Sequence, residues 1–247
     1  MKLISINIEK DRHFKEILEF YKKEKPDVFC VQELLEKDLP LLKKELDIEC
    51  AFQACRYEIK SPYPYSIGLK QGIAIFAKNI IDSGYIFYNG NPEELEKEFD
   101  PTNKNDSEAL VWVDVKNIDE KIYRYVTVHL PVTFKGESTP YQLEALNGLF
   151  KQLDTLGEFI LCGDMNTPRG KETFNRLAKK YKDNIPLEYK TSLDKNIHKI
   201  GLEKFITEGI QYYMVDGLFT TKSYQASEVK LIDGLSDHMA IIAEISK

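Results

Sequence analysis

Short apolar runs recur from one end of the chain to the other. Lys2–Ile8, Asp27–Gln32, Gly72–Ala77, Leu110–Val115, Ile122–Val128, Phe159–Cys162, Tyr213–Phe219 and Met239–Ile245 are rich in Val, Ile and aromatics and bounded by turn-forming residues. Such runs predict strands. Helical spacing appears between some of them. Asp11–Lys25 places Phe14, Ile17, Leu18 and Tyr21 on one face, and Pro26 stops it. Thr139 followed by Pro140 reads as a cap and first helical residue, with Leu143, Leu146, Phe150 and Leu153 as the apolar stripe behind them. Lys171–Lys180 predicts a third helix. Asn89–Asn105 is polar, broken by Pro92 and Pro101, and reads as a surface excursion with a short helix at Pro92–Glu98.

The strands alternate with helices in places and follow one another in others, with at least three between Gly72 and Val128. That mixture predicts an α/β fold of two packed sheets with helices outside. No repeat, low-complexity tract or linker divides the sequence, so a single domain is expected over residues 1–247.

Composition narrows the function classes. With 43% hydrophobic and 30% charged residues in 247, the chain is globular rather than disordered. No apolar run approaches the ~18 residues that cross a bilayer. The opening MKLISINIEKD meets Glu9 too soon for a secretory signal. Cys30, Cys50, Cys55 and Cys162 lack metal-type spacing, and two lie inside apolar runs. They are expected to be reduced and mostly buried, in keeping with a cytoplasmic location. The net charge is −6, and only five of 34 basic residues are Arg. A protein that coats long nucleic acid by counterion release carries a basic excess, so that role is disfavoured, while a local basic groove is not.

Polar residues with chemical potential cluster at the ends of the apolar strands, where a rigid scaffold holds side chains at a cleft. Asn7 closes the first strand, in SINIE, and Glu33 closes the second, in VFCVQE. His129 closes VTVHLP. Asp164 and Asn166 follow FILC in CGDMNTPRG. Asp216 interrupts YYMVDGLF, and Asp237 and His238 precede the last strand in LSDHMAII. Singly, most have an ordinary reading as a strand end or a turn. Asp216 is harder to dismiss, because a carboxylate between Val215 and Leu218 is costly to bury without a partner.

Taken in order, SINIE, VQE, GIAIFAK, VTVHLP, GDMNTP, VDGLF and LSDH resemble the endonuclease/exonuclease/phosphatase superfamily. That group includes pancreatic deoxyribonuclease, exonuclease III-like abasic endonucleases, neutral sphingomyelinases, inositol polyphosphate 5-phosphatases and deadenylases. The matching pieces run from residue 3 to residue 238. The resemblance implies a four-layer α/β sandwich, two mixed sheets face to face between outer helices.

Phosphodiester cleavage needs charge neutralisation, an activated water and a stabilised leaving oxygen. Oxygen ligands suit Mg²⁺, with Mn²⁺ able to substitute. Glu33 is the first candidate ligand, which the resemblance also implies, and Asn7 and Asp237 are further ones. Some branches of the family carry a second acidic ligand in the region before GIAIF; it has no clear counterpart here, and Glu58 is the candidate for that position. His238 is expected to face the phosphate with Asp216 on its other ring nitrogen. Asp164 would orient or deprotonate water, Asn166 would donate to a phosphate oxygen, and His129 would serve the phosphate or the leaving group. Which of the Asp and His residues is the base stays open. Arg56 and Lys135 are candidate phosphate contacts. Tyr57–Lys70 and Thr133–Tyr141 are expected to flank the cleft, the first as a stacking wall. There is no Gly-x-Ser-x-Gly elbow, Walker loop or spaced Cys/His pair.

His in VTVHLP resembles the deoxyribonuclease, sphingomyelinase and deadenylase branches, whereas abasic endonucleases carry Asn there. The expected activity is therefore Mg²⁺-dependent phosphodiester hydrolysis, with nucleic acid, DNA first, as substrate. The acidic charge and scarce Arg support an alternative, a small-molecule or lipid head-group phosphoester. A non-catalytic binding module on the same fold is the third reading, disfavoured because the whole residue set is present.

Overall fold

The computed structural model describes residues 1–58, 68–90, 92–94 and 107–247, with the backbone alone at 58 and 94. The chain opens with a strand–helix–strand unit, β1 (Lys2–Asn7), α1 (Phe14–Glu24) and β2 (Val28–Leu35), whose strands are parallel. Helix α2 (Leu39–Leu46) leads to β3 (Glu49–Glu58), β4 (Leu69–Ala77), β5 (Ile80–Asn89) and β6 (Glu108–Lys116). A second strand–helix–strand unit follows, β7 (Ile122–His129), α3 (Pro140–Leu153) and β8 (Ile160–Asp164), again parallel. Helix α4 (Glu172–Lys180), β9 (Lys182–Asp183), α5 (Leu202–Thr207), β10 (Asp216–Thr220), β11 (Gln225–Ile232) and β12 (Ala240–Ser246) complete it.

Two six-stranded sheets result, in the orders β11-β12-β1-β2-β4-β3 and β5-β6-β7-β8-β10-β9. Each is mixed, with its parallel pair near the middle and antiparallel neighbours around it. Strand pleating sends alternate side chains to opposite faces, and the sequence fills both. In β1 and β2, Leu3, Val28 and Cys30 enter the core between the sheets, while Ile4, Ile6, Phe29 and Val31 pack under Ile17, Phe20 and Tyr21 of α1. In the second sheet Val111, Val113 and Tyr125 face inward, and Leu110, Val126 and Val128 meet Leu146 and Leu149 of α3. The layers are helix, sheet, sheet, helix, the sandwich expected from the sequence. At α3 the Thr139 side chain accepts the Gln142 N–H at 3.2 Å and Pro140 opens the helix.

One polar bar crosses the apolar interior. Gln32 Nε2 donates to Thr127 Oγ1 at 2.9 Å and to Ser5 Oγ at 3.4 Å, and Thr127 Oγ1 donates to the Cys162 carbonyl at 3.2 Å. Ser5, Thr127 and Cys162 stand two residues before Asn7, His129 and Asp164. The bar therefore joins the sheets one rung below those three strand ends.

Several sequence expectations need correction. α1 begins at Phe14 rather than Asp11, and β10 begins at Asp216, so this residue opens a strand instead of interrupting one. Helices α2 and α5, the two-residue strand β9, and strands β3, β5 and β11 are absent from the sequence expectations. Leaving β9 aside, the other three strands are sheet edges, where one side lacks a partner and the side chains are mixed in polarity. Pro92–Glu94 forms a 3-10 turn, and the rest of the helix expected to Glu98 lies outside the described residues. All four cysteines are free thiols, and Cys30, Cys55 and Cys162 are buried. Among the described residues no helix is long and apolar enough to cross a membrane.

Candidate active site

The two parallel units end on the same side of the sandwich, and their carboxyl ends carry the polar residues. Asn7 ends β1, His129 ends β7 and Asp164 ends β8. His129, Asp164 and Asp216 are direct partners across three adjacent strands. Gly163 permits this closeness. Its φ is +141°, and a Cβ there would lie 2.0 Å from the Val128 carbonyl oxygen.

Glu33 arrives by a different device. The β2–β4 register shifts between Val31 and Leu34, so β2 carries an extra residue, and Glu33 takes a φ of +61°. A bulge of this kind re-aims a side chain that regular pleating would direct elsewhere.

Asp164 is the meeting point. Its Oδ2 accepts Asn7 Nδ2 at 3.1 Å and lies 3.4 Å from His129 Nε2 and 3.7 Å from His238 Nε2. Its Oδ1 accepts the Asn166 backbone N–H at 2.8 Å. Asn7 spans two carboxylates, since its Nδ2 also donates to Glu33 Oε1 at 3.2 Å, while its Oδ1 accepts the Glu9 N–H at 3.1 Å. His238 Nδ1 and Asp216 Oδ2 are 2.8 Å apart. Asn166, at φ +48°, commits one amide N–H to the Leu130 carbonyl at 2.8 Å. Its second N–H has no partner among the described residues.

The loop holding Asp237 and His238 is pinned by a segment that sequence reading passes over. The Ser192 carbonyl accepts the Met239 N–H at 2.7 Å, and Ser192 Oγ accepts the N–H groups of Val215 and Asp216 at 3.1 and 3.0 Å. The Asp194 N–H donates to the Asp237 carbonyl at 2.9 Å, and Asp194 Oδ2 accepts the Gly234 N–H at 2.7 Å. Both side chains are fully or almost fully buried. In TSLDKN they look like ordinary turn residues, and nothing local marks their long-range partners.

These residues border a cleft of about 420 Å³. Glu33, His129, Asp164, Asn166, Asp237 and His238 line it, as does Arg56. Asn7 and Asp216, each 2% exposed, stand one layer behind. Arg56 lies 3.8 Å from the Glu108 carboxylate. Lys135 is not part of the lining, and its carbonyl accepts the Tyr213 hydroxyl at 3.2 Å. The side chain of Glu58 and most of Tyr57–Lys70 lie outside the described residues. Among the lining residues absent from the sequence candidates are Glu9, Lys10, Gln71, His198 and Lys199.

The electrostatics follow from burial and charge. Burial pushes His238 down, but the charges of Asp216 and Asp164, the Asp216 hydrogen bond and the charge of Asp237 outweigh it and hold the imidazole well above its ordinary range. His129 is also raised: burial opposes, and the hydrogen bond and charge of Asp164, with Glu33, prevail. Asp164 shows the converse. Burial raises it, and the charges of His238 and His129 bring it below the usual carboxylate range. Asp237 is pushed up to about 6, mainly by burial, with Glu9 and Glu33 adding to the rise and His238 opposing. His198 is lowered by burial and then by the charges of His238 and Lys199.

A cation bound beside Asp237 would offset its desolvation and the repulsion of Glu9 and Glu33. Glu33, Asp237 and Glu9 line one cleft, and carboxylate oxygens are the donor type that suits a hard divalent ion. Glu9 is steadied by Arg12 at 2.8 Å and His13 at 3.3 Å. Asp164, Asp216 and His238 also offer ligand atoms within 4.8 Å of one another, although the hydrogen bond to Asp216 engages His238 Nδ1 there.

The sequence matches the Endonuclease/Exonuclease/phosphatase family over residues 4–238. The chain belongs to this family. Solved structures of family proteins share the fold. The endonuclease/exonuclease/phosphatase from Bacteroides vulgatus superposes with a TM-score of 0.74 at 15% identity, over 99% of this chain and 98% of that one. The mannosyl-6-phosphatase Bt3783 of Bacteroides thetaiotaomicron gives 0.71 at 14% identity over 100% of both chains. The human Nocturnin catalytic domain, with a bound sulfate anion, gives 0.70 at 15% identity over 100% of this chain and 93% of that one. At such identities the likeness is one of fold. Among curated protein sequences, none matches this one. As a member of this family the chain carries a phosphoesterase fold.

Proposed function

We propose that the protein is a divalent-metal-dependent hydrolase of phosphoester bonds, with Mg²⁺ as the working ion and Mn²⁺ able to replace it. The observation that carries this reading is the convergence of Asn7, His129 and His238 on one carboxylate, Asp164, beside the Glu33, Glu9 and Asp237 carboxylates. Glu33 and Asp237, with Glu9 next to them, would hold the ion, which when bound neutralises phosphate charge and lowers the cost of the departing oxygen.

The chain's own residues supply the rest. Asp164 stays ionised and orients a water in line with the phosphorus, or takes its proton. His238 presents Nε2–H to a phosphate oxygen, because Asp216 holds the opposite ring nitrogen and thereby fixes the imidazolium's orientation. The free N–H of Asn166 donates to a second oxygen. His129, held protonated by Asp164, donates to the phosphate or protonates the leaving oxygen.

Two substrate classes fit this chemistry. The resemblance of the strand-end motifs suggests a phosphodiester of nucleic acid. The cleft volume and the net charge of −6 favour a small phosphoester, since about 420 Å³ is the size of a small-molecule site. The fold likeness to a mannosyl-6-phosphatase is consistent with the second. The test is hydrolysis of bis(p-nitrophenyl) phosphate and p-nitrophenyl phosphate with Mg²⁺ or Mn²⁺, repeated with EDTA and with Asp164→Asn. Activity abolished by both controls supports the reading. A folded, metal-binding protein inactive on both esters and on a panel of DNA, RNA and sugar phosphates would sink it.

A further inference from the structure

Two hydrogen-bonding side chains in the cleft have no task in the attack of water. On the wall next to His129, Gln71 is 4% exposed and its Oε1 is buried without a hydrogen-bond partner. No side-chain hydrogen bond of Gln71 occurs among the described residues. The residue stands between the main cleft and a smaller recess that it shares with Arg56, Glu108 and His129. On the other wall, next to His238, His198 uses its Nδ1 to accept the Ile200 N–H at 3.3 Å, and its ring stands edge-on to Phe205 with centroids 5.7 Å apart. A ring nitrogen that accepts carries no proton, so His198 is neutral and its proton sits on Nε2. That N–H has no protein partner among the described residues.

We propose that Gln71 and His198 bind hydroxyl groups of the esterified alcohol, so that the substrate is a phosphoester of a polyhydroxylated group, a sugar or a ribose. The inference rests on the phosphoester-hydrolase reading of the same cleft and specifies its substrate. The phosphate itself is met by charged groups, whereas these two are neutral. A hydroxyl both donates and accepts, and so satisfies the orphan carbonyl of Gln71 and the idle N–H of His198 alike. A second phosphate offers acceptors only and would set its charge against the Gln71 oxygen. An acyl chain or an aryl ring would leave both side chains unpaired in a partly dry site, the situation that makes hydrogen-bonding pockets reject analogues lacking the hydroxyl. The cleft volume suits one monosaccharide or one nucleoside beside the phosphate.

The experiment compares kcat/KM of the full chain with Mg²⁺ on glucose 6-phosphate, ribose 5-phosphate and a ribonucleoside monophosphate against two hydroxyl-free references, phenyl phosphate and bis(p-nitrophenyl) phosphate. Preference for a hydroxylated ester is expected at roughly 10²-fold or more. His198→Ala and Gln71→Leu should each cut that preference at least tenfold. His198→Gln, whose amide can place an N–H near the ring's Nε2, should recover most of it. A higher rate on the sugar phosphates assigns the subsite to a free sugar, and a higher rate on the nucleotide assigns it to ribose. References hydrolysed as well as the hydroxylated esters, or variants that lower both alike, would overturn the inference while leaving the hydrolase reading intact. A wild type inactive on every one of these esters and on DNA and RNA, with either metal, would remove the hydrolase reading, and this inference with it.

Discussion

Asn7 Nδ2 donates to Asp164 Oδ2 at 3.1 Å, across the gap between the two sheets. The same amide reaches Glu33, so one side chain fixes the spacing between a candidate metal ligand and the carboxylate that faces water. Asn7→Ala should therefore weaken metal binding about 10- to 100-fold, as loss of a buried orienting partner does elsewhere. It should lower kcat/KM by more than the metal effect alone, because Asp164 loses its support too. Metal titration by calorimetry and kinetics at saturating metal separate the two losses. Unchanged kcat/KM at saturating metal would show that Asn7 acts through the ion alone.

Asp216 acts through His238. Asp216→Asn keeps the shape but removes the charge that holds the imidazolium. The expected result is a kcat reduction on the order of 10²- to 10⁴-fold, in the range seen when a histidine's carboxylate partner becomes an amide. The His238 pKa should fall, followed by NMR titration of its ring protons. An unchanged titration would remove Asp216 from this role.

Asp237 gives a pH prediction with a definite sign. Its folded pKa of about 6 stands above the ordinary 3.8. Between those values the metal-free folded state holds more protons than the unfolded one, so stability falls as pH rises from 4 to 6. At neutral pH the full penalty reaches about 3 kcal/mol, because each tenfold change in proton affinity is worth about 1.4 kcal/mol. Metal-free Asp237→Asn should therefore melt higher than wild type at pH 7.5 and lose that advantage near pH 4. Added Mg²⁺ should stabilise the wild type and leave the variant little changed. Melting curves at the two pH values, with and without Mg²⁺, check all three expectations.

The thiols should be quiet. Burial pushes Cys50 up to about 12, and Cys30 is raised well above the ordinary thiol range by burial and by its Cys162 neighbour. Only the thiolate attacks an alkylating agent, so native protein at pH 8 should react with Cys50 and Cys30 at roughly 10⁻³ of the rate of an unperturbed thiol or slower. Counting thiols labelled by iodoacetamide in native and urea-unfolded protein tests this. Rapid native labelling of either residue would mean that the sheets open locally.

The sheet interiors were legible in the sequence because central strands are buried on both faces and read as continuous apolar runs. β3, β5 and β11 were not, since an edge strand needs little of that signal. The strand-end residues of the site could be named because a polar side chain closing an apolar run stands out. Ser192 and Asp194 could not, because their side chains bond across long stretches of sequence, 24 residues to Asp216 and 40 to Gly234. Glu9 and His198 lie in polar surroundings where no contrast marks them. The bulge at Glu33 was equally hidden, because its positive φ is imposed by pairing with β4 rather than by residue type.

The Ser5–Gln32–Thr127 bar gives the sandwich a fixed jaw width just beneath the cleft. Asn7 and Glu33 stand on one jaw, and His129, Asp164 and Asp216 on the other, so neither half owns a working centre. Catalytic geometry is thus a gauge of how the two halves seat, and activity should fade on warming before either half loses its own strands.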